Sequence, residues 1–303
     1  MEPGDNSETP EPQGRPTARI EDAHRLPGAS PGPAVSGGPA VSIRPMTRAE
    51  LDPSLDWARA EGWNPGPQDA EAFWSADPEG FIAAERDGEV VGTGAIVRYS
   101  PAFGFMGLFI VRPDLRRTGI GRQLWYARRD MLRARLDPDG CIGMDAVETM
   151  SDFYAEGGFA VSHRQTRHRG KVRAEWPTDQ NLVALADLPF GDVAGFDLQH
   201  FGVPRADFLR RWIAPEGGRG LALMSDTGEM EAMGVIRLGV SGGFKIGPLF
   251  AAGPVAADIL FRGLAAHAMG EPVFLDTPRN NAAALELVDR YAMTEQFSCR
   301  RQY

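Results

Sequence analysis

The chain has 303 residues, 43% hydrophobic and 24% charged, with a net charge of −9; this length suits two domains of roughly 100–200 residues and excludes a small stapled scaffold. Two cysteines, Cys141 and Cys299, are too few and too far apart for a disulfide framework or a zinc site, and no apolar run reaches the roughly 18 residues of a membrane span. The acidic balance argues against a general nucleic-acid binder, and the N-terminus lacks the features of a secretory leader, so a reducing cytoplasm is the expected compartment.

Residues 1–40 contain 14 Gly or Pro and no Phe, Tyr or Trp. They bury too little apolar surface to offset the entropy of ordering, which predicts a disordered tail. Residues 41–44 alternate like a strand, and Thr47 with Glu50 forms a capping box that starts a helix with Leu51 and Leu55 on its buried side. Two apolar runs, 80–86 and 89–97, flank Asp87-Gly88 and read as a β-hairpin. Residues 103–111 are almost continuously apolar, as a central strand covered on both faces requires. A helix follows over about 120–136, with Ile120, Leu124, Ala127, Met131 and Leu132 near one face and the arginines from Arg128 to Arg135 mostly on the other. A strand over 141–147, a short helix around 151–156 and a closing strand towards Arg169 complete the unit.

The second half repeats this order. Gly80, Gly88 and Gly94 map to Gly220, Gly228 and Gly234 at an offset of 140, Leu108 and Pro113 to Leu249 and Pro254 at 141, and Gly158-Phe159 to Ala292-Met293 at 134. With a linker near 175–179, the expected organisation is a tail over 1–40, one domain over 41–174 and a second over 180–303.

The most informative segment runs from Val111 to Leu124 and contains Arg116-Arg117-Thr118-Gly119-Ile120-Gly121-Arg122. Two glycines remove side chains where a ligand must approach the backbone, and the helix that opens there offers unpaired N–H groups and the positive end of its dipole. The dipole supplies only about 0.3–1 kcal/mol at an exposed site, so several aimed N–H groups must do most of the binding of an anion. Arg116, Arg117 and Arg122 add positive charge around them. The spacing matches neither Gly-x-Gly-x-x-Gly nor the P-loop. It resembles instead the acetyl-CoA loop of the GNAT N-acetyltransferase superfamily, Arg/Gln-x-x-Gly-x-Gly/Ala after the fourth strand, which Arg116, Gly119 and Gly121 match in full.

That resemblance implies a mixed α/β fold, a largely antiparallel central sheet flanked by helices, and two tandem domains of this type. It also implies that the backbone from Arg117 through Thr118, Gly119, Ile120 and Gly121 to Arg122 holds a diphosphate, and that Ile110 and Val111 pair with the pantetheine arm, with a strand N–H near Phe109 or Ile110 on the thioester carbonyl. Downstream, Phe153-Tyr154-Ala-Glu-Gly157-Gly158-Phe159 is similar to the family's Leu-Tyr-x-x-x-Gly-Phe, whose tyrosine protonates the departing thiolate; Tyr154 is the candidate acid. Glu61, Trp63 and Asn64, after the first helix, are acceptor-side candidates, with Trp57 and Trp74 as further wall residues.

No carboxylate stands on the 103–111 strand, so a general base is unassigned; Glu85, Asp145 and Glu148 lie near other strand ends, and His163 and His168 are read as exposed. The second half has no counterpart of the glycine loop, and Val288 stands in the place of Tyr154. Asp276, Arg279, Asn280 and Asn281 form either a polar cluster facing the acceptor cleft or a capped helix start. The expected function is transfer of an acetyl group from acetyl-CoA to a small-molecule amine, with no metal, nucleic acid or membrane partner, and the tandem arrangement is compatible with a monomer. The alternative is a non-catalytic CoA-sensing or protein-interaction module.

Overall fold

The computed structural model describes residues 41–178 and 181–303. The tail expected over 1–40 lies outside them, as does Asp179 of the expected linker. The first half runs β1 (Ser42–Pro45), α1 (Arg48–Ala60), α2 (Asp69–Ala76), β2 (Phe81–Arg86), β3 (Glu89–Ser100), β4 (Phe103–Val111), α3 (Ile120–Arg133), β5 (Cys141–Val147), α4 (Ser151–Ala155) and β6 (Val161–Lys171). The second runs β7 (Leu182–Ala184), α5 (Phe190–Phe201), α6 (Ala206–Trp212), β8 (Arg219–Met224), β9 (Met230–Leu238), β10 (Phe244–Ala251), α7 (Pro254–His267), β11 (Pro272–Pro278), α8 (Ala282–Arg290) and β12 (Thr294–Gln302).

Local signals act as their chemistry requires. The Glu50 carboxylate accepts from the Thr47 N–H at 2.7 Å and its hydroxyl at 2.9 Å, closing the start of α1. Asp87 and Gly88 both take positive φ, +55° and +82°, which a two-residue hairpin turn demands, and Gly228 repeats this at +83° in the β8–β9 turn. The repeat extends further. α3 and α7 are each 14 residues long, and the Phe159 N–H donates to the Tyr154 carbonyl at 3.3 Å as the Met293 N–H donates to that of Val288 at 3.0 Å.

The strands form one 12-stranded sheet in the order β1-β2-β3-β4-β5-β12-β6-β11-β10-β9-β8-β7. Its pairings are antiparallel except β4 with β5 and β10 with β11. The closing strands are exchanged. β12, from the end of the chain, lies against β5, while β6 lies against β11, and β6 and β12 pair with each other at the centre. Each half therefore completes its sheet with main-chain groups of the other, which leaves neither half with an open β5-type or β11-type edge.

Side-chain alternation sorts the helices onto two faces. Ile82 and Ala84 of β2 pack in the cluster beneath α3, whereas Phe81 and Ala83 pack towards α1 and α2. Likewise, Leu221 and Leu223 of β8 face α7, and Ala222 faces α5 and α6. On that second face the halves interlock: Phe73 of α2 lies 5.5 Å from Phe208 and 5.7 Å from Trp212 of α6, and Tyr99 of β3 meets Phe201 of α5 edge-on at 5.4 Å.

Two expectations are corrected. Arg128 and Arg129 are not on the solvent face of α3: both are buried, Arg128 with 1% of its surface exposed. The helix crosses β3 at Gly94, where a Cβ would collide with the Arg128 side chain, so a glycine in the strand makes room for a residue that periodicity assigns to water. His163 and His168 are not exposed either. His168 is buried beside Thr277, and His163 is half-buried in the central sheet because β12 covers it.

Candidate functional site

β4 and β5 pair only from Phe103 with Cys141 to Met106 with Met144, after which they diverge. The cause is visible in β4: Leu108 has φ +48°, and the register with β3 shifts between Thr93 and Ala95. Thr93 Oγ1 donates to the Leu108 carbonyl at 3.0 Å, holding this bulge. Residues 107–111 of β4, including Phe109, Ile110 and Val111, thus lie beyond the pairing with β5, along one side of a wedge that opens towards α3.

At the wide end of the wedge the chain turns into α3. Arg117 has φ +67° and Gly119 φ +97°, an alternation of hand that points successive N–H groups to one side. Thr118 Oγ1 donates to the Leu115 carbonyl at 2.7 Å and braces the loop. Gln123 is the first residue whose N–H closes onto Gly119, at 3.2 Å, so the amides of Ile120, Gly121 and Arg122 have no carbonyl four residues back within the helix. Gly121 leaves its amide uncovered; the nearest atoms to a Cβ there are Val111 Cγ2 at 3.6 Å and Phe109 Cζ at 3.8 Å. Arg116 donates through Nε to the Val111 carbonyl at 3.0 Å and pairs through Nη2 with Glu61, while Arg122 sits 5.8 Å from the Tyr126 ring centroid. Amide donors, two glycines and three arginines at one strand end are groups that could hold a diphosphate. The equivalent turn of the second half differs: Gly253 is extended at φ −171° and Pro254, which has no N–H, occupies the first turn of α7.

Tyr154 closes the other side of the wedge. Its ring centroid lies 4.7 Å from Trp125, 5.6 Å from Phe153 and 6.5 Å from Phe109, and only 6% of its surface is exposed. Burial pushes the phenol above its ordinary pKa, and the positive charge of Arg128 opposes that shift.

The acceptor-side candidates are not gathered into one pocket. Glu61 is the ion-pair partner of Arg116. Trp63 is half-buried and its carbonyl accepts from Arg167 Nη1 at 3.1 Å. Asn64, at φ +50°, fastens a turn of the second half: its Oδ1 accepts from the Ser241 N–H at 2.8 Å and its Nδ2 donates to the Gly242 carbonyl at 3.4 Å. Trp74 stacks on Phe81 in the core at 5.6 Å, and Trp57 is half-buried on α1. The polar group around α8 also disperses. Asn281 caps that helix by accepting from the Ala284 N–H at 3.1 Å, and Arg279 pairs with Glu295.

The strand exchange creates a polar floor that no local pattern announces. Ile142, Met144 and Ala146 of β5 face α3, so Asp145 points to the opposite face, just past the point where β4 leaves. There Arg301 of β12 binds it in a fork, Nε to Oδ1 at 2.6 Å and Nη2 to Oδ2 at 2.9 Å, with His163 next in the cross-strand row. Burial, together with the Arg301 charge, lowers the His163 pKa below its usual value. One step along the sheet, Asp276 of β11 pairs with both Arg167 of β6, at 2.7 Å, and Lys245 of β10, at 2.9 Å.

Packing around Asp276 pushes its carboxyl up, but the Lys245 ammonium and the Arg167 guanidinium outweigh that and hold it well below the usual aspartate range. A depressed native pKa contributes stability that is complete above the unfolded value of about 3.9 and is lost as pH falls below it towards the native value. Asp276→Asn is therefore expected to lower stability near neutrality by about 2 kcal/mol, less than the 3–5 kcal/mol of a fully buried pair because part of the side chain is exposed. The difference from the parent protein should shrink below about pH 4. Denaturant unfolding at several pH values checks this, and a penalty independent of pH refutes it.

Among the described residues no helix is long and apolar enough to cross a membrane, and no group of three or more His, Cys, Asp or Glu is placed to hold a metal ion.

Known proteins place this architecture. The model of the acetyltransferase (GNAT) family matches residues 47–159, and that of an acetyltransferase (GNAT) domain matches residues 193–303. A protein named holothin acyltransferase, from Pseudoalteromonas sp. (strain SANK 73390), is 27% identical over 261 residues, 86% of each chain. A putative acetyltransferase from Pyrococcus horikoshii superposes with a TM-score of 0.70 at 25% identity, covering 86% of this chain and 88% of its own. A tandem GNAT protein from the clavulanic acid biosynthesis pathway shares the fold, with a TM-score of 0.61 at 15% identity over 87% of this chain and 98% of its own. Two matched units in one chain, a related acyltransferase along most of its length and a solved tandem protein of the same fold together make this chain a tandem member of the GNAT acyltransferases.

Proposed function

We propose that the chain is an N-acetyltransferase that moves the acetyl group of acetyl-CoA to the amine of a small acceptor. The observation that carries this reading is the donor set of residues 116–122 at the open end of the β4–β5 wedge, beside Tyr154. The amides from Arg117 to Arg122 would hold the diphosphate, helped by the charges of Arg116, Arg117 and Arg122. The free edge of Phe109, Ile110 and Val111 would bind the amide-bearing arm and direct an N–H at the carbonyl oxygen where negative charge develops. The bound thioester supplies the activated acetyl group. Tyr154 would pass its hydroxyl proton to the departing sulfur.

The acceptor would approach from the opposite face, over Asp145 and Arg301. Asp145 is engaged by both of its oxygens in the Arg301 fork, which suits orientation better than proton abstraction. We assign no general base; holding amine and thioester in line is worth effective molarities up to about 10⁵–10⁸ M.

The test uses the full-length chain. Calorimetry with acetyl-CoA and longer acyl-CoA thioesters is expected to show binding, strongest turnover being with acetyl. Thiol release with a panel of small amines is expected to exceed release without amine by at least about tenfold for one class. Heat without transfer to any amine would favour the CoA-sensing reading, and absence of heat with every thioester overturns both.

A further inference from the structure

Arg128 of α3 is buried, and its guanidinium has neither a carboxylate nor a carbonyl partner. Arg129 pairs with Asp130, and Arg133 donates to the Gly140 carbonyl. Just past the helix, Arg135 pairs with Asp77. The Arg128 guanidinium instead lies 4.7 Å from the centroid of Phe109 and 5.8 Å from that of Trp125, with Nε and Nη1 buried and without a hydrogen-bond partner. No carboxylate among the described residues lies within ion-pairing distance. Burying such a cation costs several kcal/mol, which aromatic faces worth about 2 kcal/mol only partly offset. Its pKa falls to about 10 through desolvation, so it still carries its charge at neutral pH.

The second half supplies an internal comparison. Arg262 occupies the position in α7 that Arg128 occupies in α3, 134 residues on, as Val288 does for Tyr154. Arg262 is partly exposed and paired with Asp258 at 3.2 Å. The half with the tyrosine keeps a buried, unpaired cation against Phe109 and Trp125, the two rings that also pack on Tyr154; the half without the tyrosine does not.

We infer that Arg128 is a positioning residue for the proton transfer assigned to Tyr154: its unbalanced charge, walled in by Phe109 and Trp125, favours the phenolate that forms as the phenol proton passes to sulfur. The inference rests on Tyr154 being the acid. The transfer balances: the O–H bond breaks, the sulfur leaving with the C–S electron pair takes the proton, and solvent reprotonates the phenolate after release. The rings packed on Tyr154 from β4, α3 and α4 are Phe109, Trp125 and Phe153, none ionisable. Arg128, from α3, is the charge that bears on it, and it draws the phenol pKa down against the upward push of burial.

The test is Arg128→Met, with Arg128→Lys as the conservative variant, each in the full-length protein. An apolar side chain of similar reach removes the unpaired donors as well as the charge, so the melting temperature is expected to hold or rise. The tyrosinate absorbance of Tyr154, isolated by subtracting the titration of Tyr154→Phe, is expected to move up by about one pH unit in Arg128→Met and to return most of the way in Arg128→Lys. In turnover, kcat is expected to fall about tenfold, the equivalent of one pKa unit, with the thioester KM unchanged. Should Arg128→Met fail to fold, the smaller Arg128→Gln carries the same titration. A Tyr154 phenol that ionises at the same pH in the parent and in the uncharged variant overturns the inference and leaves the acid assignment standing. Full turnover in Tyr154→Phe overturns the acid assignment and the inference with it.

Discussion

Gly119→Glu is expected to leave the protein folded and to weaken acetyl-CoA binding by more than about 100-fold, roughly 3 kcal/mol. Gly119 caps α3 at φ +97°, a conformation that costs a residue with a Cβ about 1–3 kcal/mol, small beside the roughly 5–15 kcal/mol that hold a protein folded. Part of that cost is returned, because a carboxylate is favourably placed at the positive end of a helix. The same carboxylate occupies the donors a diphosphate needs and repels its charge. The neighbouring Gly121→Ala separates the two effects. Its φ is not positive and the nearest atoms to an added Cβ lie 3.6 and 3.8 Å away. The alanine should therefore melt no lower than the parent, and its methyl group, set beside the open amide, should weaken thioester binding far less than the glutamate does. Calorimetry of the two variants with acetyl-CoA is the measurement, and undiminished affinity in Gly119→Glu removes the socket from residues 116–122.

Tyr154→Phe is expected to lower kcat by roughly 10²–10⁴-fold, the usual worth of a general acid, with little change in the thioester KM. The ring contacts with Trp125, Phe109 and Phe153 survive the change, so the melting temperature should stay close to that of the parent. The pH dependence follows from the sign of the shift. An acid must be protonated to act, and burial holds the phenol above its ordinary value of about 10 while Arg128 opposes but does not cancel that push. In the parent protein kcat should therefore stay flat upward from neutrality and fall only in strongly alkaline solution, and Tyr154→Phe should lose that alkaline limb. A variant that turns over an identified acceptor near the parent rate refutes the assignment.

Much of the geometry of the glycine turn and the hairpin is legible in the sequence because it is local. Gly119 and Gly121 stand where the backbone must turn left-handed or stay uncovered, Thr47 and Glu50 are three residues apart, and Asp87-Gly88 is a two-residue turn; each depends on dihedral preferences within a few positions. Periodicity sends Arg128 to the solvent face because it distributes residues by type, and a charged residue on the buried stripe goes inside only if the facing strand makes room, as Gly94 does 34 residues earlier in the chain. The place of Asn64 after α1 suggests an acceptor pocket, yet its partners, Ser241 and Gly242, are 177 and 178 residues away.

The residue string alone determined the two-copy α/β plan, the glycine turn before α3 and its absence from the second copy, since these follow from side-chain alternation, φ preference and repeat spacing. Tertiary structure decided which strand lies beside which. Asp145 gains Arg301 across 156 residues only because β12, and not β6, pairs with β5. Two closing strands of similar length and polarity offer the same main-chain hydrogen bonds to either edge. The choice between them is made by side chains packing across the whole sheet, a sum that no local window contains.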